Sequence, residues 1–399
     1  MESYLLGSTT WTWFESRART ISFVITEDCS LACKYCYITG QNRGNFMDLE
    51  LAKAAIDFVL SSSPDVMPED SVIWDFVGRE PFLEIELIDQ ITDYITLQMY
   101  ELSHRWFGKH KFRFSSDGTR YDSPLVQRYL LKNSHCISIG LCVDGNRIKD
   151  DQKRNVPLWS KQFPNGSVTA TFSAEDLRYL KDSIINLWDL GIKDVNLNVV
   201  FENAGKPDDD FLLETQLMEL ADYIIDNDLY GTHKCSLFSD LIGHPLTEER
   251  LKQNWCSTGK MLAIDYQGIL YPCMRFMGCS LNKRNSYVIG NIYEGLDQNR
   301  LGAFQSMNKH SQSSQSCLDC QVASSCAWYQ RFHNDEATFD TIFNKAIYLC
   351  RMHKAGVRAN EYYWAKLGSK NRIARANSSE RIEGTDRRSD YCIMRLLAQ

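Results

Sequence analysis

No apolar run in the sequence approaches the roughly 20 residues that a membrane span requires. The first residues, MESYLLGSTTWTWFESRART, are acidic at their start and lack the apolar core of a secretory signal. Nor is there a surplus of positive charge: 44 Lys and Arg against 51 Asp and Glu leave a formal net charge of −7. These absences argue against a membrane partner and against nucleic acid as the main ligand. The expectation is a cytoplasmic protein. No internal repeat is present. What remains is 399 residues, 44% hydrophobic and 24% charged, ordinary for a globular protein and long enough for two domains.

Fourteen cysteines are the anomaly. A reducing compartment gives disulfides little chance to persist, so metal binding is the favoured explanation for most of them. From residue 21 to about 228, strand and helix patterns alternate. Strands are read in ISFVI (21–25), SVIWDFV (71–77), KFRFS (111–115), CISIGLCVD (136–144), VTATF (168–172) and DVNLNVVF (194–201). Helices are read after most of them. Asp48 is expected to cap the first, Ser173 the one after strand five, and a long polar loop is expected after strand four. Parallel neighbours need crossovers of this length, so the sheet is parallel, either open and doubly wound or curled into a partial barrel. In both cases ligands gather beyond the carboxyl ends of the strands. The unusual segments all fall there: DCSLACKYCY after strand one, GREP after strand two, SSDGT after strand three, DGNR after strand four. Beyond residue 235, MLAIDYQGILYPC reads as a hairpin turning near Gln267–Gly268, followed by a cysteine-rich loop and a helix in FNKAIYLCRMHKAGVRANEYYWAKL.

Three thiols within eight positions, Cys29, Cys33 and Cys36, either need a distant fourth ligand or leave a coordination position open. Cys317, Cys320 and Cys326, with Cys350 in the next helix, can supply four thiolates to zinc or to a [4Fe–4S] cluster. Cys256, Cys273 and Cys279 form another candidate group. Cys136 and Cys142 lie at strand positions and read as ordinary buried thiols. His233, His244 and His353 are scattered without ligand spacing and read as structural, while Trp11 and Trp13 read as packing against the sheet.

Cys29-x3-Cys33-x2-Cys36, with Tyr35 before the last cysteine, resembles the signature loop of the radical S-adenosylmethionine (SAM) enzymes. VGREPFLE, with Gly78 and Glu80, resembles that family's Gly-Gly-Glu-Pro element for the SAM amino group. Ser116 and Asp117 in SSDGT resemble its ribose and carboxylate element, and Asp144 in CVDG its Ser-x-Asp-Gly segment. The later cysteines resemble a SPASM domain with auxiliary clusters, and WCSTGKMLAIDYQGILYPCMRF is most similar to peptide maturases with CXXX-repeat targets. The resemblance implies a partial (β/α)6 TIM-like radical SAM barrel over 18–230, a linker over 231–250, a SPASM domain over 251–366 and a disordered tail over 367–399. It further implies three [4Fe–4S] clusters, one binding SAM through Cys29, Cys33 and Cys36 and two auxiliary. A flavodoxin or ferredoxin would serve as electron donor. About twenty residues precede strand one, so precursor recognition is expected to use the barrel, the C-terminal region, the tail or a separate leader-binding protein.

Three positions depart from the pattern. Arg79 replaces the second glycine, which implies strain if that backbone has a positive φ. Asp117 stands where asparagine is usual, and Tyr329 and Gln330 stand where another cysteine is expected. The first auxiliary site would then rest on Cys256, Cys273 and Cys279 with one iron open, suited to capturing a substrate thiolate. Arg154, placed in the loop after strand four, is expected either to pair with the SAM carboxylate or to be solvated. The leading expectation is a maturase forming thioether crosslinks in a ribosomally made peptide. Oxidation or a carbon–carbon crosslink is the second, and a zinc-stabilised binding protein on a decayed scaffold the third.

Overall fold

The computed structural model describes residues 18–29, 31, 33, 36, 44–144, 148–200, 207–253, 261–278, 286–306, 308–326 and 347–377. Six parallel strands succeed one another in order: β1 (Arg19–Thr26), β2 (Val72–Gly78), β3 (His110–Ser116), β4 (Ile137–Cys142), β5 (Ser167–Phe172) and β6 (Asp194–Val199). Helices α1 (Leu49–Leu60), α2 (Ile85–Glu101), α3 (Pro124–Lys132), α4 (Asp150–Gln162), α5 (Leu180–Asp189) and α6 (Asp209–Asp226) cross between and after them.

Alternation along the strands separates two faces, because successive side chains point to opposite sides. Ile21 and Phe23, Trp74 and Phe76, Phe112 and Phe114, Ile139 and Leu141 join the main core with the helices. Rings stack across it, Phe76 on Phe114 at 5.2 Å between centroids and Phe23 on Trp74 at 6.0 Å. The opposite, concave face is polar from β3 to β6. Under β1 and β2 it is apolar, where Val24 and Val77 meet Ala263, Tyr271, Met274 and Met277.

The caps follow local chemistry. Asp48 accepts from Leu51 N at 2.8 Å, as the sequence implied, and Ser123 caps α3. Ser173 does not cap a helix. Its hydroxyl donates to Asp176 Oδ2 at 2.5 Å in a turn, and α5 starts only after a 3-10 turn over Leu177–Tyr179. The expected polar loop after β4 contains α4, a helix whose buried face is itself polar: Gln152, Asn155 and Gln162 lie inward with Val156 and Trp159. Hydrophobic periodicity does not register such a face.

The sheet does not end with the six strands. β7 (Lys234–Cys235) pairs in parallel with β6, inside the segment read as a linker. β8 (Met261–Ile264) pairs in parallel with the free edge of β1, and β9 (Ile269–Tyr271), β10 (Gly290–Asn291) and β11 (Gly295–Leu296) extend it antiparallel. Among the described residues, one eleven-stranded sheet, ordered β11-β10-β9-β8-β1-β2-β3-β4-β5-β6-β7, therefore runs through both halves of the chain. The hairpin turns at Gly268, φ +76°, where Asp265 Oδ1 accepts from Gln267 N and Ile269 N. The C-terminal helix, Ile347–Asn377, extends ten residues past the expected start of the tail. It packs on α6 through Arg358–Glu214, Tyr362–Asp222 and Lys366–Asp222, and on Asp228 just beyond it through Lys370. Phe238, just beyond β7, stacks on its Tyr363 at 4.6 Å.

Candidate active site at the carboxyl ends of the strands

The cysteine loop leaves β1 through a clamped neck. Met47 N donates to Ile25 O, Glu27 N to Asn45 O, and Asn45 Nδ2 to Glu27 Oε2 at 2.8 Å. A second tie runs to β2, where Arg79 N donates to Thr26 O and Glu80 N to Asp28 O. The two strand exits pass so closely that a Cβ on Gly78 would lie 2.3 Å from Thr26 O. Gly78 also has φ +140°, which a side chain strongly disfavours. Arg79 is not among the residues of positive φ. The strain anticipated for Arg79 is thus absent; the special backbone belongs to its neighbour.

Cys29, Cys33 and Cys36 are reduced and half-buried. Cys29 Sγ accepts from Leu31 N at 3.3 Å and its thiol faces Asp117 Oδ2 at 3.9 Å, while Cys36 N donates to Cys33 O at 3.2 Å. Burial pushes the Cys29 thiol up to about 12, with the nearby Asp117 and Glu80 carboxylates adding to the effect. Metal ligation would have to displace that proton. Among the described residues no three His, Cys, Asp or Glu side chains converge as a metal cage. The donor chemistry nevertheless suits an iron–sulfur cluster, because three reduced cysteines at one strand exit are its usual ligands. Tyr35, Cys256 and Cys279 lie outside the described residues.

Glu80 sits at the centre of the constellation and is wholly buried. Its carboxylate accepts from Phe82 N at 3.0 Å, from Ser116 Oγ at 3.0 Å and from Asp117 N at 2.7 Å. Burial raises its pKa, Asp117 raises it further, and the amide hydrogen bonds oppose the rise. It thus joins the exit of β2 to that of β3. Asp117 is fixed in turn: Oδ1 accepts from Thr119 N at 2.8 Å and Thr119 Oγ1 at 2.7 Å. The turn is held from α4, where Gln152 Nε2 donates to Asp117 O at 2.7 Å and Asn155 Nδ2 to Gly118 O at 2.8 Å. Sequence reading missed these two residues. The available signal was the spacing of Gln152, Asn155, Val156 and Trp159, which places them on one helical face.

Asp144 Oδ1 accepts from Thr171 N at 3.1 Å, tying the exit of β4 to β5. Arg154 is not in a loop. It lies on α4, exposed, with Nε 2.8 Å from Asp122 and a further contact of 3.1 Å to Asp151.

The C-terminal thiols gather elsewhere. Cys317 and Cys326 are buried in a small apolar cluster with Phe276, Phe304 and Ala323, and Cys273 and Cys320 pack on its margin. Ser324 staples this loop to the segment after β7, accepting from His244 N at 2.9 Å and donating to Leu241 O at 2.7 Å. His353 Nε2 meets Val322 O at 2.5 Å, and Cys350, one turn earlier, shares its helical face. His233 packs against Trp188, and His244 bonds Asp240 O. Cys136 is buried, its thiol 3.6 Å from Asn133 O, as a core cysteine would be.

No protein-family model matches the chain. An uncharacterised protein, MJ0907 of Methanocaldococcus jannaschii, is 23% identical over 272 residues, covering 64% of this chain and 85% of that one. Among solved structures, native anSMEcpe with bound AdoMet overlaps 90% of this chain and 99% of its own, at a TM-score of 0.59 and 16% identity. SuiB of Streptococcus suis bound to its precursor peptide SuiA overlaps 79% and 72%, at a TM-score of 0.50 and 16% identity. With the strand order and helical crossovers described above, these likenesses show the fold, a partial TIM-like α/β barrel.

Proposed function

We propose that this chain is a radical SAM enzyme that forms thioether crosslinks in a ribosomally made, cysteine-containing precursor peptide. The observation that carries the reading is the convergence of Cys29, Glu80 and the Ser116–Thr119 turn at adjoining strand exits of this fold. Cys29, Cys33 and Cys36 would hold a [4Fe–4S] cluster, and Tyr35, Gly78, Ser116, Asp117 and Asp144 are the positions assigned to the SAM side of the site. When bound, the cluster and SAM supply a 5′-deoxyadenosyl radical able to remove a hydrogen atom from a peptide carbon. The chain's own contribution is placement. Glu80, fully engaged by its three donors, holds two strand exits in register, and α4 holds the turn that carries Asp117.

Cys317, Cys320, Cys326 and Cys350 would form one auxiliary site and Cys256, Cys273 and Cys279 another. A peptide substrate is supported by the neighbours, since anSMEcpe was solved with a Cp18Cys peptide and SuiB with SuiA. Oxidation of a peptide residue without a crosslink is the second reading, and the same strand-exit geometry around Cys29, Glu80 and Asp117 would serve it.

The test is anaerobic reconstitution followed by reduction, with a flavodoxin or ferredoxin as donor, beside a synthetic peptide carrying repeated cysteines. About twelve irons per chain correspond to three clusters, and about eight to loss of the first auxiliary one. A crosslinked product loses an alkylatable thiol and two hydrogens, whereas an oxidised one carries a carbonyl trapped by hydrazide. Zinc in place of iron, with no 5′-deoxyadenosine formed, would overturn the proposal.

A further inference from the structure

Residues 28–44 carry Cys29, Cys33 and Cys36, and the chain pairs with itself on either side of that stretch. Thr26 and Phe46 form an antiparallel bridge, with Met47 N donating to Ile25 O at 2.9 Å and Glu27 N to Asn45 O at 3.0 Å. This register sets Glu27 opposite Asn45, their side chains on one face of the neck. There Asn45 Nδ2 donates to Glu27 Oε2 at 2.8 Å. One step further out, Gly44, at φ +67°, turns its N–H to Asp28 Oδ1 at 3.3 Å.

The pair is an unusual choice for a strand end. Glu27 is 6% exposed, and burying a carboxylate is costly unless donors meet it. Branched or aromatic residues would bridge two short strands without that cost. What a buried polar pair adds is register. Sliding one strand by a residue moves it about 3.4 Å and turns each side chain to the other face, taking Asn45 away from the Glu27 carboxylate. Metal ligation tolerates errors of only about 0.2 Å. The register also reaches the rest of the site. Asp28 O accepts from Glu80 N at 3.1 Å, Glu80 Oε2 accepts from Asp117 N at 2.7 Å, and Cys29 Sγ lies 3.9 Å from Asp117 Oδ2.

We propose that Glu27 and Asn45 are positioning residues for the SAM-binding cluster: their hydrogen bond locks the register of the neck and so fixes Cys29 against Glu80 and Asp117. This deepens the radical SAM reading and rests on it. Both residues act through the backbone that carries Cys29, two positions beyond Glu27.

The test exchanges the two groups. Asn45→Asp sets two carboxylates face to face, and Glu27→Gln keeps an acceptor for Asn45. The double variant Glu27→Gln/Asn45→Asp remakes the bond with donor and acceptor on exchanged strands. Each full-length chain is reconstituted anaerobically and reduced with dithionite. Iron release to a ferrous chelator is timed, and the electron paramagnetic resonance signal is recorded before and after SAM is added. The cluster at Cys29 accounts for the phase of about four irons that Cys29→Ser lacks. Asn45→Asp should speed that phase by about tenfold and blunt the SAM-induced change in the signal. Glu27→Gln should alter the rate by no more than about twofold, and the double variant should return rate and signal to within about twofold of the unsubstituted chain. If Asn45→Asp loses its melting transition, Asn45→Ala supplies the answer, with release faster by about fivefold. Three results would overturn the proposal: an unchanged release phase, an unchanged SAM response, or a double variant no better than Asn45→Asp. A lowered melting temperature alone is what a merely structural pair would give. Failure of the parent reading shows separately, in an unsubstituted chain that takes up no iron or gives no response to SAM.

Discussion

Gly78 and Arg79 divide between them a requirement that the sequence pattern assigned to a pair of glycines. The first carries the positive φ and the close approach to Thr26 O; the second has neither. Gly78→Ala should therefore destabilise the fold by about 2–4 kcal/mol, from a forced φ and a backbone clash together. Arg79→Gly should change stability by under about 1 kcal/mol. Urea titration of both variants separates them, and equal losses would show that the strain lies elsewhere. At the proposed cluster, Cys29→Ser should lower reconstituted iron by about four per chain and abolish 5′-deoxyadenosine formation. His110 gives a residue-scale prediction away from the site. It is buried, Nδ1 has no partner among the described residues, and burial with the nearby His135 lowers its pKa to about 4. The unfolded chain, with an ordinary pKa near 6.5, then binds a proton that the folded one refuses. Stability is full above about pH 6.5 and falls as pH drops toward about 4, by up to about 3 kcal/mol. His110→Phe, beside the ring of Phe112, should flatten that slope in melting curves taken across the window.

At the scale of elements, legibility followed the hydrophobic code. β1 to β6 and α6 lay where alternation and helical period put them, since each buries one apolar face in the main core. The cysteine loop and the turns around Glu80 and Asp117 were legible too, because unusual residues collected at strand exits. α4 was not. Its sequence, DDQKRNVPLWSKQ, includes a proline and buries glutamine and asparagine, so its inward face looks like a loop. Tertiary hydrogen bonding, which no local pattern carries, determines it. The same fact supplies its test. Asn155→Ala leaves Gly118 O and Thr119 O without their side-chain donor and should cost about 1–2 kcal/mol. Because that turn presents Asp117, SAM affinity should fall severalfold as well, whereas Arg154→Ala on the exposed face should alter neither by much. Equilibrium SAM binding to both variants decides; equal effects would mean that α4 acts only as bulk packing.

For the whole molecule, the division into a barrel and an appended C-terminal unit meets a continuous sheet. β8 covers the edge of β1 along Thr20, Ile21, Ser22 and Phe23, and Tyr271, Met274 and Met277 seal the apolar part of the concave face. At the other end, the C-terminal helix places Arg358 and Lys366 against acids of α6, and Lys370 against Asp228 just beyond it. None of these contacts is local in sequence, so neither the strand and helix patterns nor the boundary near residue 250 that the resemblance implied carries them. The barrel should accordingly not fold well without the C-terminal strands and helix. A fragment ending at residue 253 exposes the β1 edge and the faces beneath Tyr271 and Met274, and an open apolar edge strand promotes association. The expected outcome is a fragment that aggregates or loses its cooperative transition, against one coincident transition for the full chain. Truncation after residue 377 retains every described contact and should melt like the full chain. Ending at residue 369 removes Lys370, which bonds both Ile225 O and Asp228, and should lower stability by about 1 kcal/mol, more than a surface ion pair alone because a backbone carbonyl loses its donor. Native-state hydrogen exchange in α6 reads that loss directly: faster exchange confined to its last turn supports the clamp, and unchanged protection there would show that the helix merely rests on the barrel.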